Sequence, residues 1–273
     1  MKQVQPSADK QARWNDYGLE RLKEINETPD KFVIHQCPIY HLEACDQILQ
    51  LLEPLSGKSV LEVGCGRGDF SVWMAKQGAN VTAVDIGAHL LESASKLAQQ
   101  NKVEPNFCQN DIAFLPFASR SFDVVIGTAI LHHLSKTGVR HSVYESHRVL
   151  KDGGMAIFHE PVENSRVFDF IQNLIPVGTK GSRQYRPSIL QRVAWQRYLE
   201  KVDERPLSVR ELVSAGEKLF AQINVSPYGL LIRFQRLIGA KYRLLLTALD
   251  SYLLRVFPPL RKFSRTVLIQ YQK

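Results

Sequence analysis

The sequence lacks the features of a secreted, disulfide-bonded or membrane-spanning chain. Its 273 residues contain only four cysteines, which are Cys37, Cys45, Cys65 and Cys108. None of them forms a Cys-x-x-Cys pair and no His-Glu-x-x-His spacing occurs, so neither a disulfide framework nor a metal site is expected. No segment reaches the roughly 18 uncharged apolar residues that a membrane-spanning helix needs, and no apolar run follows Lys2. We therefore expect a cytoplasmic protein.

Composition indicates an ordinary globular chain with an uneven charge. The hydrophobic share is 44% and the charged share 23%, so one large domain with a sizeable core is expected. The net charge of +8 divides into −3 over residues 1–161 and +11 over residues 162–273. This asymmetry favours an anionic partner for the second half, whether a phosphate-bearing substrate, a membrane surface or RNA. A basic surface in contact with solvent alone is the alternative.

Short β-rich runs alternate with helical patterns in the middle of the chain, which is typical of a parallel α/β sheet. The five strands predicted there are 59–63, 81–86, 106–109, 122–128 and 155–159, and two further strands are predicted at 221–225 and 266–271. The helices predicted between them are 70–77, 88–100 and 139–150, and a long helical stretch is predicted at 230–254. Residues 10–53 and 162–218 lack this alternation and are expected to be helical additions to the sheet.

A glycine turn after the first predicted strand carries the strongest local signal. It reads LEVGCGRGDF over residues 61–70, a strand that enters a tight turn and then a helix. The dinucleotide fingerprint G-x-G-x-x-G would require a glycine at Asp69, so a pyrophosphate ligand is disfavoured. Glu62 and Asp69 add negative charge that suits an ammonium group instead. A sulfonium nucleoside fits this pattern.

Two more carboxylates follow the next two predicted strands. Asp85 ends the second strand, where a carboxylate can accept hydrogen bonds from both ribose hydroxyls. Asp111 follows the third strand and can accept a hydrogen bond from an adenine amino group. Ligands of open α/β sheets bind outside the carboxyl ends of the strands, so acids at three successive strand ends predict one ligand site.

At these residues the chain resembles the class I S-adenosylmethionine-dependent methyltransferases. The resemblance covers residues 58–161 through LEVGCGRGDF, VTAVDI, NDIAFLPFASRSFDVVIGTAILHHL and LKDGGMAIFHEP. It implies a single α/β domain over residues 1–273, with a Rossmann-like, seven-stranded, mostly parallel sheet and helices on both faces. The expected parts are an N-terminal helical cap (1–57), a cofactor-binding core (58–161), an acceptor-lid insertion (162–218), and a segment with the last two strands and a basic amphipathic helix (219–273).

The resemblance also implies S-adenosyl-L-methionine as the cofactor and assigns residues to it. Glu62 is expected near the methionine amino group, and Thr128 and Ala129 are expected to border the methionine end. The backbone of Gly64, Cys65 and Gly66 is expected to lie against the cofactor. The positions expected around its ribose and adenine are Asp85, Ile86, Asn110, Asp111 and Ile112. From layout alone, Tyr17 in the cap is expected to close over the cofactor's carboxylate.

Three residues at the ends of the fourth and fifth strands are candidates for a general base. An alcohol or phenol acceptor benefits from proton removal, whereas a neutral amine can attack without a base. His133 is the first candidate, followed by His159 and Glu160. The alternative is that the histidines of Leu-His-His-Leu only pack or form hydrogen bonds.

Absent motifs narrow the class of acceptor. The chain has no Asn-Pro-Pro-aromatic segment after the fourth strand, which would indicate methylation of a nucleobase amino group, and no Pro-Cys nucleophile. These absences favour a small-molecule acceptor over a nucleic acid. The resemblance to the family's subgroup that methylates small metabolites implies a hydrophobic or amphipathic acceptor, such as a lipid, quinone or polyketide. The alternatives are an RNA methyltransferase and a non-catalytic cofactor-binding module that recruits a partner.

The second half of the chain contains the predicted acceptor-binding and membrane-binding features. The insertion interleaves aromatic residues with arginines, namely Phe168, Phe170, Tyr185, Trp195 and Tyr198 with Arg166, Arg183, Arg186, Arg192 and Arg197. Residues 229–262 contain seven basic residues and one acid among many leucines. Such a basic amphipathic segment is typical of a peripheral membrane contact. The alternative is a helix that packs on the sheet, with arginines at its rim.

Overall fold

A computed structural model describes residues 8–39, 42–163, 166–174, 176, 186–201, 207–234 and 242–273. Within these residues the strands are β1 (Ser59–Val63), β2 (Asn80–Asp85), β3 (Asn106–Gln109), β4 (Phe122–Thr128), β5 (Leu150–Pro161), β6 (Gln222–Tyr228) and β7 (Thr266–Gln272). They form one sheet in the order β3-β2-β1-β4-β5-β7-β6. β1 to β5 are parallel, and β7 lies antiparallel between β5 and β6. The prediction of a seven-stranded, mostly parallel α/β sheet is confirmed.

Helices cover both faces of the sheet. In the described part of the chain they are α1 (Ala8–Glu27), α2 (Cys45–Leu52), α3 (Asp69–Lys76), α4 (Ala88–Gln100), α5 (Lys136–Val149), α6 (Arg166–Asn173), α7 (Arg192–Lys201), α8 (Val209–Gly216) and α9 (Arg243–Val256). Among these helices, none has the length and apolarity that crossing a membrane requires.

Two apolar layers form the core, one on each face of the sheet. On one face Phe158 of β5 packs with residues of α5 and α8 such as Val143 and Leu212. On the other face Ile157 of β5 packs with residues of α2 and α3 such as Ile48. Successive side chains of a strand point to opposite faces, so both layers draw on neighbouring residues of the same buried strand.

The strand and helix predictions hold through the middle of the chain, with small differences at the ends. β2 ends at Asp85, one residue earlier than predicted. β5 begins at Leu150, five residues earlier than predicted, because the Lys-Asp-Gly-Gly segment is an irregularity inside the strand. The register between β4 and β5 shifts at that irregularity. Phe122 pairs with Leu150, whereas Val124 pairs with Met155.

One prediction in the second half of the chain is corrected. The helix predicted over 230–254 is wrong at its start, because a 3-10 turn occupies Ile232–Phe234; the described helix there is α9, from Arg243, and residues 235–241 lie outside the described residues. Within the insertion predicted over 162–218, α8 packs in the helical layer of the sheet, and the bounds of the insertion stay a prediction. Leu207 and Leu212 are fully buried, and the Tyr271 hydroxyl donates to the Leu212 carbonyl over 2.7 Å. Arg183 and Tyr185 of the predicted lid lie outside the described residues.

Candidate functional site

The turn between β1 and α3 presents its backbone at the carboxyl edge of the sheet. The amides of Gly64 and Cys65 both donate to the Val84 carbonyl of β2, over 2.8 and 3.1 Å. Gly64 and Gly66 have φ angles of +71° and +53°, a left-handed conformation that glycine adopts without strain. A Cβ added at Gly66 would meet no atom within 4 Å. A ligand can therefore approach the backbone closely there.

Asp85 is bound into this turn at the end of β2. One carboxylate oxygen accepts from the Gly66 amide over 2.8 Å, and the other accepts from the Gly87 amide over 2.9 Å. The residue is 8% exposed, and burial raises the pKa of its carboxyl group. A carboxylate has about four acceptor positions, so these two bonds leave acceptor capacity for ligand hydroxyls.

Glu62 is a second buried acid, one residue before β1 ends. Its carboxylate accepts from the Ser71 hydroxyl of α3, and the residue is 4% exposed. Burial raises the pKa of Glu62 to about 8, with smaller contributions from the charges of Asp69 and Asp85, although the Ser71 bond opposes the shift. A nearby ammonium group would stabilise the charged form of this carboxylate.

The residues after β3 form the neighbouring wall. The Asn110 amide donates to the Asp85 carbonyl over 3.0 Å, which joins this segment to the end of β2. Asp111 accepts from the Ala113 amide over 2.9 Å through one oxygen, so its second oxygen remains available to a ligand. Ile112 is buried, whereas Ile86 is only half-buried. The residues predicted around ribose and adenine therefore lie along one edge.

Helix α1 is tied to the glycine turn by charge. Arg21 donates to Asp69 over 3.0 Å, and Arg67 lies 3.3 Å from the same carboxylate. The Arg67 guanidinium also lies 5.7 Å from the centre of the Tyr17 ring. The structure thus places Tyr17 beside the turn, where the sequence expected it from layout alone. Its role toward a cofactor stays a prediction.

The segment after β4 closes the other side of the turn. Thr128 is half-buried and Ala129 is exposed, and the Ala129 amide donates to the His159 carbonyl over 2.8 Å. A Cβ at Gly64 would lie 2.4 Å from the Ile130 side chain, so turn and segment are in close contact. The two expected neighbours of the methionine end, Thr128 and Ala129, therefore adjoin the turn.

The three candidate bases do not converge on one point. Glu160 is fully buried, and its carboxylate accepts from the amides of Ile130 and Leu131, over 2.8 Å each. His159 precedes it on β5 and is 4% exposed, and consecutive strand residues point to opposite faces. His133 is half-buried, with its ring 5.4 Å from the Trp14 ring of α1. Of the three, His133 alone combines partial exposure with a position beside the helix that covers the site.

Several residues of the site were not singled out from the sequence. Arg21 lies four residues after Tyr17, so both share one face of α1, a spacing that could have linked them. Trp14 and Ile130 gain their positions only through contacts with distant segments. The contact between His132 and Glu160 was not predicted either: the His132 Nδ1 lies 2.9 Å from the Glu160 carboxyl group.

Comparison with known proteins identifies the family. A family model described as a methyltransferase domain matches residues 60–154. A ubiquinone biosynthesis O-methyltransferase of Erwinia tasmaniensis is 32% identical over 62% of this chain and 69% of its own length. A relative of the same name from Cronobacter sakazakii is 32% identical over 58% of this chain and 65% of its own length. The chain therefore spans about two thirds of the length of these relatives.

Solved structures support the same fold. Magnesium protoporphyrin IX methyltransferase of Synechocystis, solved with bound S-adenosylhomocysteine, is 14% identical, with a TM-score of 0.58 over 98% of this chain and 100% of that one. A Bacillus subtilis protein is 21% identical, with a TM-score of 0.53 over 86% and 99%. At these identities the likeness concerns the fold alone.

The chain belongs to the class I S-adenosylmethionine-dependent methyltransferase family. The predicted family and cofactor are confirmed. The residues at the carboxyl edge fit S-adenosylmethionine, because an open glycine turn adjoins two buried acids, Glu62 and Asp85, that can hold a cationic nucleoside. The individual contacts of these residues with it stay predictions.

Proposed function

We propose that the chain methylates a hydroxyl oxygen of a hydrophobic or amphipathic small molecule, with a quinone-type phenol as the preferred class. The observation that carries the proposal is the gathering of Glu62, Asp85 and Asp111 around one open glycine turn, beside the exposed end of β4. The relatives named ubiquinone biosynthesis O-methyltransferases favour an aromatic hydroxyl acceptor over the other small-molecule classes.

In this proposal the chain mainly binds and orients the two reactants. When bound, S-adenosylmethionine would supply an electrophilic methyl group on a sulfonium: the acceptor oxygen would form a bond to the methyl carbon in line with the C–S bond, which breaks as the sulfur keeps the bonding electrons. Glu62 would hold the amino group and Asp85 the ribose hydroxyls. His133 would accept the phenol proton, because it is half-buried beside the exposed segment after β4. Holding reactants in line supplies much of the rate enhancement of such a reaction.

The described part of the predicted lid supports an apolar acceptor. Phe168 of α6 packs edge-on against Phe234 and Phe263, with ring centres 5.9 and 5.4 Å away, which fixes α6 to the C-terminal segment. The same helix leaves Phe170 52% exposed, and Val193 of α7 is 69% exposed. We infer that these exposed side chains lie on the acceptor side and contact an apolar part of the substrate.

The test is label transfer from methyl-labelled S-adenosylmethionine. The purified chain is incubated with a hydrophobic catechol and, separately, with an extract of its source cells, and label is followed into organic, aqueous, RNA and protein fractions. We expect label in the organic fraction and in the catechol's methyl ether. Label in RNA would support the RNA alternative. Cofactor binding without label in any fraction would support the non-catalytic module.

We also propose that α9 contacts an anionic membrane surface. Five exposed apolar side chains lie along one face of the helix, spaced alternately by three and four residues. They are Tyr242, Leu245, Leu249, Tyr252 and Val256. The one acid of residues 229–262, Asp250, is 3% exposed on the opposite face and accepts from the amides of Leu231 and Ile232. Exposed Arg255 follows on the same helix. The outer face therefore combines apolar and basic side chains.

Vesicle sedimentation tests this contact. We expect binding to phosphatidylglycerol vesicles but not to neutral ones, with weaker binding at high salt because surface charges are screened. The double variant Leu245→Ser and Leu249→Ser should lose binding. Tyr144→Ser, which changes an exposed apolar residue of α5, serves as the matched control. Equal sedimentation of the double variant and the wild type would contradict the proposal.

A further inference from the structure

The carboxylate of Glu160 accepts hydrogen bonds from backbone amides of the segment that follows β4. Glu160 is fully buried near the end of β5. Its Oε1 accepts from the amides of Ile130 and Leu131, both over 2.8 Å. These amides directly follow Ala129 at the exposed edge of the site. A buried charged acceptor with two short backbone bonds strongly restricts the path of the segment that donates them.

The second oxygen of Glu160 holds the next residue of the same segment. Oε2 lies 2.9 Å from Nδ1 of His132 and also accepts from the His132 amide over 3.4 Å. The His132 ring is 7% exposed. The contact between Oε2 and Nδ1 is a hydrogen bond between two buried side chains. The orientation of the His132 ring is thereby set by Glu160.

The His132 ring contacts the ring of His133, the candidate base. The ring centres of His132 and His133 are 4.0 Å apart, and His133 in turn meets the Trp14 ring edge-on at 5.4 Å. A continuous set of contacts thus runs from β5, through the segment after β4, to the helix that covers the site.

The backbone of the segment needs such a constraint. Ala129 has a φ of +55°, a left-handed conformation that is strained for a residue with a Cβ. Its amide is held by the His159 carbonyl, and the next three amides are held by Glu160. Strained backbone persists where surrounding bonds over-determine it. The strain lies at the position expected beside the methionine end of the cofactor.

We infer that Glu160 and His132 are a pair of positioning residues, which hold Ala129 to His133 in the conformation that faces the acceptor and set the His133 ring against Trp14. This assigns Glu160 a role different from proton transfer, because its carboxyl group is buried and its oxygens are occupied by three backbone amides and the His132 ring. The inference rests on the proposed function only for its effect on turnover. The conformational role can be measured without it.

Two variants test the pair in the full-length chain. In Glu160→Gln one oxygen becomes an amide NH2 group, which cannot accept a hydrogen bond, so some of the donors lose their acceptor. We expect hydrogen exchange of the Ile130 and Leu131 amides to rise at least about tenfold, and kcat to fall by a similar factor at a nearly unchanged KM for S-adenosylmethionine. His132→Leu should lower kcat similarly, whereas His132→Asn keeps a side-chain N–H donor and should recover turnover to within about threefold of the wild type.

Glu145→Gln is the matched control, because Glu145 also accepts a backbone amide, that of Leu115 over 2.8 Å, but belongs to α5 away from the crevice. It should leave kcat unchanged.

Unaltered exchange of the Ile130 and Leu131 amides in Glu160→Gln would overturn the inference, and so would faster exchange with unchanged turnover. If Glu160→Gln does not fold, equal kcat in His132→Asn and His132→Leu would overturn it. A wild type without activity would contradict the proposed function, whereas the exchange data would still decide the conformational role.

Discussion

At the scale of residues, the two buried acids of the crevice differ in how their charge is stabilised. Asp85 accepts from two backbone amides, those of Gly66 and Gly87. The main hydrogen bond of Glu62 comes from the neutral Ser71 hydroxyl, and its carboxylate lies near the charges of Asp69 and Asp85. Glu62 therefore depends more on a bound cation for its ionised form.

Asp85→Asn should weaken binding of S-adenosylmethionine by about ten- to a hundredfold, because an amide can neither accept from both Gly66 and Gly87 nor hold the ribose with a charge. Isothermal titration calorimetry measures this change. Asp123→Asn is the control, since Asp123 binds Lys151 and the Ser59 amide at the opposite end of the strands. Equal losses in both variants would show that the effect is not specific to the crevice.

The pKa of Glu62 predicts a pH dependence of cofactor affinity. Burial raises this pKa to about 8, so below pH 8 the carboxyl group is mostly protonated in the free protein and must lose its proton to bind an ammonium. Affinity should rise between about pH 6 and 7.5, by at most about tenfold per pH unit, with release of a proton. Calorimetry in buffers of different ionisation enthalpy measures both quantities.

Glu62→Gln should remove this pH dependence, because the amide does not titrate. Methylthioadenosine, which lacks the amino acid part of the cofactor, should show none of it even with the wild-type chain. A pH dependence that persists in Glu62→Gln would assign the proton to another group.

At the scale of elements, α1 approaches α4 closely at one glycine. A Cβ at Gly18 would lie 2.4 Å from the backbone of His89 and Leu90, a distance at which one helix must move. Together with the Arg21 to Asp69 bond, this approach holds α1 beside the glycine turn. The cap is therefore positioned by backbone contact as well as by charge.

Gly18→Ala should destabilise the chain by about 1–3 kcal/mol and weaken cofactor binding, because the clash outweighs the gain of about 1 kcal/mol in helix propensity. Urea unfolding and calorimetry measure the two effects. Asn26→Ala, at an exposed position of the same helix, should be neutral or stabilising. A stabilised Gly18→Ala variant with unchanged affinity would show that the helix approach is not required.

At the scale of the whole molecule, β7 joins the second half of the chain to the cofactor-binding half. It lies between β5 and β6, and its Tyr271 is fully buried against Phe158 and Phe220. The Tyr271 hydroxyl donates to the Leu212 carbonyl of α8. This contact lies in the apolar layer with α5 and α8, and neither Tyr271 nor Leu212 is a residue assigned to the cofactor.

Tyr271→Phe should therefore lower the free energy of unfolding by about 1 kcal/mol, the usual net value of one buried hydrogen bond, and leave cofactor affinity unchanged. Urea denaturation with an unchanged m-value measures the loss. Tyr144→Phe, at an exposed tyrosine, should not change stability. Loss of cofactor affinity in Tyr271→Phe would show that this hydrogen bond is also required for the crevice.

The sequence by itself determined the first five strands, the glycine turn and the acids at three strand ends. These features depend on local patterns, namely alternation, turn residues and spacing along the chain. The family resemblance and the cofactor followed from the same local residues. The helix predicted over 230–254 was wrong at its start, because periodicity alone does not show where the chain leaves the helical conformation.

Only the tertiary structure decided which residues meet across the site. Arg21 and Asp69 are 48 positions apart, and Glu160 and Ile130 are 30 apart, so no local pattern relates them. The position of β7 between β5 and β6, the inward orientation of Glu160 and the approach of α1 to α4 likewise depend on long-range packing. Local sequence specifies the conformation of a segment, whereas burial of apolar surface and pairing of buried polar groups select its partners.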